Sequence, residues 1–191
     1  SLADLSKPRA TGVRIMNLPQ DYSDILIDVK PIRQEEILLV TKLGQAIRFK
    51  NDEVREMGRA AYGVTGIKLD KDDEIVSLEI LSEDKENTIL TITEKGYGKR
   101  SAIEDYRITG RAGKGVINLK VTDKTGNVVT TVSVKDKESA IITTAKGMVI
   151  KTLVKQIRVM SRNTQGVHIV RLKEGDKVVD LIKVSEVEEE K

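Results

Sequence analysis

The chain alternates between short aliphatic runs of six or seven residues and turns rich in Lys, Asp, Glu and Gly, and stretches with helical spacing are nearly absent. EEILLVT, the turn KLG and QAIRFK form one unit: two β-rich runs joined by a short loop whose glycine suits a left-handed backbone. The pattern predicts a hairpin. TILTIT-EKG-YGKRS and AIITT-AKG-MVIKT repeat it, each with glycine at the third loop position. After each hairpin comes an aperiodic connection with room for one helical turn: NDEVREMGRAAY, AIEDYRITGRAGK and LVKQIRVMSRNTQ. A third strand is predicted at GVTGIKL, GVINLKV and GVHIVRL. A polar turn (DKDD, DKTGN, KEGD) then leads to a fourth, aliphatic strand at IVSLEIL, VVTTVSV and VVDLIKV.

These elements recur at a fixed interval. The turn glycines Gly44, Gly96 and Gly147, and the strand-opening glycines Gly63, Gly115 and Gly166, are spaced by 52 and then 51 residues. Gly12-Val13 lies 51 residues before Gly63-Val64. Four antiparallel strands in a period of this length predict an all-β, propeller-like array of four-stranded blades, because a leucine-rich solenoid needs a shorter period. About three and a half blades are expected: a partial one over 1–32, then blades over about 33–82, 83–135 and 136–185, in a single repeat domain followed by an acidic tail at 186–191. Within the partial unit, strands are expected near Gly12 to Leu18 and Ile25 to Val29.

Composition narrows the setting. No apolar run approaches the eighteen or so residues that cross a bilayer. No charged-then-apolar leader opens the chain, and Ser1 in place of Met suggests a piece of a longer protein. The absence of Cys excludes disulfides and thiolate metal sites and fits a reducing, cytoplasmic compartment. The net charge is +3, but EVEEEK at the end carries four Glu against one Lys, so the body is more basic than the total.

That basic charge is ordered. Aligning the repeats on their glycines gives four columns filled by a cation every time: Arg48, Arg100, Lys151; Arg55, Arg107, Arg158; Arg59, Arg111, Arg162; and Lys68, Lys120, Arg171. Lys and Arg are 33 of 191 residues, so chance supplies fewer than one such column. With Lys99, beside the first column, these are the candidate contacts. Equivalent positions on successive blades face the same way, so each column predicts a cationic stripe suited to a polyanion such as duplex DNA, bound through phosphates without base reading. Aromatics at 3% argue against the stacking platforms of single-strand binders. The competing reading is that strand ends carry Lys and Arg to blunt edges, or that a propeller presents its cations to an acidic protein partner.

At GYGKR, SRNTQGV and RFKNDEVREMG the chain resembles the C-terminal domain of the DNA gyrase A subunit, and the likeness runs along its whole length. The resemblance implies a β-pinwheel, a propeller relative with strands exchanged between blades, whose rim bends duplex DNA for strand passage and negative supercoiling. It implies partners in double-stranded DNA, the remainder of the gyrase A subunit, the gyrase B subunit, no membrane partner, and a bacterial, nucleoid-associated setting. No cofactor is implied in this chain, with ATP and Mg acting elsewhere in the holoenzyme. The family has about six blades, so the chain is similar to its C-terminal portion. The Gln-Arg-Arg-Gly-Gly-Lys-Gly box of the first blade is absent, which keeps the related C-terminal domain of the topoisomerase IV A subunit as the alternative.

Other candidate chemistry is thin. No glycine-rich turn leads into Gly-Lys-Ser/Thr opening a helix, so no phosphate loop is present. The lone His168 sits in an alternating strand, where a rim position is expected, and one histidine does not build a zinc site. Tyr22, Tyr62, Tyr97 and Tyr106 are assigned to packing or the rim, and Asp72, Asp73 and Glu74 to a turn. No catalytic residue, no metal site and no enzymatic activity are expected of the isolated chain. The acidic tail is expected to be solvated, with competition for the cationic rim as its other role. The partial blade is expected to leave an unpaired strand edge open to self-association.

Overall fold

The computed structural model describes residues 5–6, 10–21, 23–33, 35–82 and 86–185. Among the described residues it contains eleven strands and only single 3-10 turns by way of helix. The first repeat supplies β1 (Glu36–Thr41), β2 (Gln45–Lys50), a 3-10 turn at Asn51–Glu53 and β3 (Ile75–Leu81). The second supplies β4 (Thr88–Thr93), β5 (Tyr97–Ala102), a turn at Ile103–Asp105, β6 (Val116–Ile117) and β7 (Val128–Val134). The third supplies β8 (Ser139–Thr144), β9 (Val149–Leu153), a turn at Val154–Gln156, β10 (Val167–His168) and β11 (Val178–Val184). The hairpins and the helical turn after each one stand where the sequence places them.

The sheets do not follow the repeat boundaries. Their orders are β3-β1-β2-β6, β10-β5-β4-β7 and β11-β8-β9, all antiparallel. Each of the first two sheets therefore takes its outer strand from the following repeat. The third sheet has three strands. The predicted third strands are accordingly much shorter than expected, and their ladders run to a neighbour: Val116 and Ile117 face Ala46 and Gln45, and Val167 and His168 face Gly98 and Tyr97. The strands expected at GVTGIKL, Gly12–Leu18 and Ile25–Val29 are not formed. The cause is the same in each case. A strand exists only as half of a ladder, and the hairpin that would receive these segments is not in the chain.

The fourth strand of each repeat lies on the inner side of the array. Ser77 Oγ donates to the Thr131 carbonyl at 2.7 Å, Ser133 N donates to Glu79 Oε2 at 3.0 Å, and Lys183 Nζ donates to the Ser133 carbonyl at 2.9 Å, linking β3, β7 and β11. Radially the sequence runs from this axis through the hairpin to the borrowed strand at the rim. The N-terminal residues are tied alongside the first blade by Lys30 to Glu79 and by Asn17, which bonds the Ala60 and Ala61 carbonyls.

Alternating strand faces put the core between blades rather than inside any one of them. Leu38 and Val40 of β1 pack against Ile89, Ile103, Tyr106, Leu119 and Val128 of the second repeat. Leu90, Ile92 and Val134 pack in turn against Ile142, Val154, Ile157, Val170 and Leu181 of the third. The borrowed strand passes close over the hairpin turn. A Cβ at Gly44 would lie 2.2 Å from the Leu119 carbonyl oxygen, and one at Gly115 would lie 2.2 Å from that of Ala46. Glycine at both markers is what lets the two repeats interlock.

Candidate nucleic-acid interface

The four cationic columns separate into different structural roles. The first column is largely internal. Arg48 lies half-buried, donating through Nη1 to the carbonyls of Ile103 at 2.9 Å and Tyr106 at 3.0 Å in the next repeat, while Nε engages Glu36. Arg100 repeats this one blade later and is 4% exposed: Nε donates to the Ile157 carbonyl at 2.8 Å, and Nη1 pairs with Asp136. Both guanidinium groups cap the carbonyl end of the neighbouring 3-10 turn, a place where cationic donors satisfy otherwise orphaned acceptors. Lys151, the third member of the column, is exposed. Arg100 and Arg48 are thus corrected from phosphate contacts to ties between blades.

Lys99 is also corrected. It is fully buried, with Nζ donating to Ser101 Oγ. Burial pushes its ammonium down to about 8, with Asp105 opposing the push and nearby Arg162 adding to it. It belongs to a polar set between the first and second blades. Tyr106 donates its hydroxyl to Asn118 Oδ1 at 2.6 Å, Asn118 Nδ2 donates to Thr91 Oγ1 at 3.1 Å, and Thr91 meets Thr131 at 3.1 Å. Burial holds the Tyr106 phenol well above its ordinary pKa. The matching positions in the third repeat are Ile150 for Lys99, Ile157 for Tyr106, Ile169 for Asn118, Ile142 for Thr91 and Leu181 for Thr131. One blade junction is therefore polar where the next is aliphatic.

The third column is divided. Arg111 sends Nε to the Glu53 carbonyl at 3.1 Å and Nη1 to the Thr65 carbonyl at 2.9 Å; Arg162 sends Nε to the Asp105 carbonyl at 3.0 Å and Nη1 to the Ile117 carbonyl at 2.9 Å. These two are half-buried clasps on the rim, and Arg59 is exposed. The second column, Arg55, Arg107 and Arg158, is exposed throughout, directly after each 3-10 turn, and so is the fourth, Lys68, Lys120 and Arg171.

Backbone bonds bring members of different columns together. Lys68 N donates to the Gly113 carbonyl at 2.9 Å and Lys120 N to that of Thr164 at 3.0 Å, which sets Lys68 beside the Arg111 segment and Lys120 beside the Arg162 segment. Each junction thus carries an exposed cation from each of the two repeats that meet there: Lys68 and Arg107, then Lys120 and Arg158. Lys50, Lys114 and Lys155 are exposed on the same outer segments, and Lys114 approaches Asp70 at 3.3 Å. A search by columns misses these because their counterparts in other repeats are not all cations. Glu53, Glu104 and Asp105 lie exposed at the same turns and offset part of the charge.

The remaining candidates are structural. His168 is exposed on β10 with its ring 3.9 Å from that of Tyr97, and Tyr62 is 71% exposed. Asp73 anchors the first hairpin turn by accepting Leu43 N at 2.9 Å, as Asp176 anchors the third by accepting Lys146 N at 3.0 Å. Among the described residues no group of three or more His, Asp or Glu is placed to hold a metal ion, and no helix is long and apolar enough to cross a membrane. Tyr22 and the acidic tail at 186–191 lie outside the described residues.

Blades that each borrow an outer strand from the next repeat define the class: this is a β-pinwheel. The chain belongs to the family of DNA gyrase C-terminal domains, whose model, described as a β-propeller, matches residues 1–33, 35–82, 87–135 and 138–185. The DNA gyrase A subunit of Salmonella typhimurium is 42% identical over 186 residues, covering 97% of this chain and 21% of that protein. The gyrase A subunit of Fibrobacter succinogenes is 46% identical over 160 residues, covering 84% of this chain and 18% of that one. The chain thus spans about a fifth of the length of these curated relatives. Among solved structures, the C-terminal domain of DNA topoisomerase IV superposes with a TM-score of 0.86 at 26% identity, over 94% of this chain and 56% of that one. A DNA gyrase A C-terminal domain gives 0.81 at 24%, over 91% and 58%, a likeness of fold.

Proposed function

We propose that this chain binds duplex DNA along its rim without reading sequence and bends it, as an accessory, non-catalytic module of a gyrase A subunit. The observation that carries this reading is the recurrence of exposed cations in every repeat, Arg55, Arg107 and Arg158 with Lys68, Lys120 and Arg171. Spacing by one blade spreads the positive charge along a curved edge, and a duplex following that edge exchanges condensed counterions for side chains. Bending costs the DNA a few kcal/mol, which further contacts along the rim offset. Gyrase is favoured over topoisomerase IV by the family model and by curated relatives at 42% and 46% identity, both gyrase A subunits. In the holoenzyme the module hands DNA to the rest of the gyrase A subunit, which works with the gyrase B subunit in ATP-dependent negative supercoiling.

The test is binding to a duplex of about 40 base pairs across a salt series, with energy transfer between the DNA ends. The expected outcome is a linear log-log dependence of about −0.9 per phosphate contacted and a shortened end-to-end distance. Arg107→Glu with Arg158→Glu lowers the magnitude of that slope by about two and weakens all sequences alike. Absence of binding at low salt, together with a salt-sensitive complex with an acidic protein, overturns the proposal in favour of a protein-contact propeller.

A further inference from the structure

In the second and third repeats the connection after the hairpin lays a short extended segment along the outermost edge of the preceding blade. Ile108 bridges Arg48 on the outer side of β2, and Thr109 N donates to the Arg48 carbonyl at 2.9 Å. Val159 bridges Arg100 on the outer side of β5, where Arg100 N donates to the Arg158 carbonyl at 3.1 Å and Met160 N to that of Arg100 at 2.8 Å. Both segments are thereby fixed from one side. Each carries an exposed arginine, Arg107 or Arg158, followed at once by an exposed aliphatic residue.

Ile108 is 47% exposed and Val159 50%. Two residues earlier, Tyr106 and Ile157 are buried in the cores between blades, so each segment passes from core to surface within two positions. The fold does not demand an apolar side chain at the surface position. The first repeat has Glu56 there, and it is exposed as well. Nor does apolar packing enclose Val159, which edges a cleft whose other walls are polar or charged, Arg100, Asp136 and Lys137 among them. An aliphatic group set among charges offers no continuous surface to an apolar protein partner.

We infer that Ile108 and Val159 pack against deoxyribose rings of the duplex, next to the phosphates that Arg107 and Arg158 engage, and make the rim prefer DNA over double-stranded RNA. This contact rests on the proposed binding of duplex DNA to the rim and supplies its non-ionic part. Beside every backbone phosphate lies a sugar, and proteins that hold the backbone touch both. The sugar of DNA has a methylene at its 2′ carbon, against which an aliphatic side chain buries apolar area and gains dispersion. The sugar of RNA has a hydroxyl there, which the same side chain leaves without a hydrogen-bond partner. An arginine on a phosphate gives no such discrimination, because that group is common to both. Recurrence of the arginine–aliphatic pair one blade apart sets two such contacts along one path, and neither reads a base edge.

The experiment measures binding of the chain to DNA and RNA duplexes of one sequence, about 40 base pairs long, across a salt series. Ile108→Thr with Val159→Thr keeps β-branching at both places and puts a hydroxyl where an apolar branch stood. This double variant is expected to bind DNA about tenfold more weakly at every salt concentration, with an unchanged log-log slope, and to lose no more than about twofold on RNA. Ile108→Val with Val159→Ile, which stays apolar, keeps the preference for DNA. Ile182→Thr, at a 52% exposed aliphatic on the inner strand β11, leaves both affinities unchanged. Circular dichroism checks that every variant is folded. DNA affinity untouched by the double threonine variant overturns the inference while duplex binding by the rim stands. An equal loss on RNA does the same, as does a shallower salt slope, which marks displaced arginines in place of a lost sugar contact. A chain that binds neither duplex at low salt removes rim binding itself, and this contact with it.

Discussion

Lys99 is an ammonium enclosed among the side chains of a blade junction, with one hydroxyl as its hydrogen-bond partner. Both sister repeats have isoleucine at its place, Ile47 and Ile150. Lys99→Ile is therefore expected to raise stability by about 1–3 kcal/mol, measured by denaturant unfolding, because the desolvated charge is removed and the volume is retained. The sign with pH follows from the lowered pKa. Between about 8 and the ordinary lysine value the unfolded chain holds a proton that the folded chain has lost, so stability rises with pH across that window. Lys99→Ile abolishes this rise. Arg100 behaves oppositely: Arg100→Met strands the buried Ile157 carbonyl, is expected to cost about 1–3 kcal/mol, and leaves the salt slope of DNA binding unchanged.

The same residues mark where sequence reasoning stops. A column of cations was legible as a repeated property of the blade, but a repeated cation serves equally to hold blades together and to meet a partner. Arg48 and Lys151 share a column and differ only in whether a following repeat supplies carbonyls. That information lies in the tertiary arrangement of other residues, beyond the reach of spacing. The Arg55 column lies in the aperiodic connection after each hairpin, which agrees with its exposure, whereas the Lys68 column lies in the segment expected as the third strand and its exposure was not legible.

At the scale of the element, the hairpins were readable because turn chemistry and alternation are local. The third strand was readable as a recurring segment but not as to its owner, since a two-residue ladder to a neighbouring hairpin leaves no mark in local periodicity. The glycines held the clue, being placed at both halves of the exchange. Gly44→Ala is expected to destabilise the chain by about 3 kcal/mol or more, from the φ of 85° and the 2.2 Å approach to Leu119, while Gly12→Ala, with a φ of 79° but open space, costs only the backbone strain of about 1–2 kcal/mol. Calorimetry on the two variants separates them. Amide exchange offers a second reading of the same feature: the outer edge of β9 should exchange faster than the outer edges of β2 and β5, both of which are covered by borrowed strands.

For the molecule as a whole, the exchange of outer strands decides how such an array changes length. Each period carries one donor and one acceptor, so inserting a whole period anywhere inside the chain satisfies both and creates no new unmatched edge. The number of unmatched edges does not change, however many blades lie between them. Duplication or loss of a 51- or 52-residue unit is therefore structurally neutral at the seam, whereas a change of half a unit is not. The blade count is consequently free to drift over generations, and with it the arc of rim along which the cations are displayed.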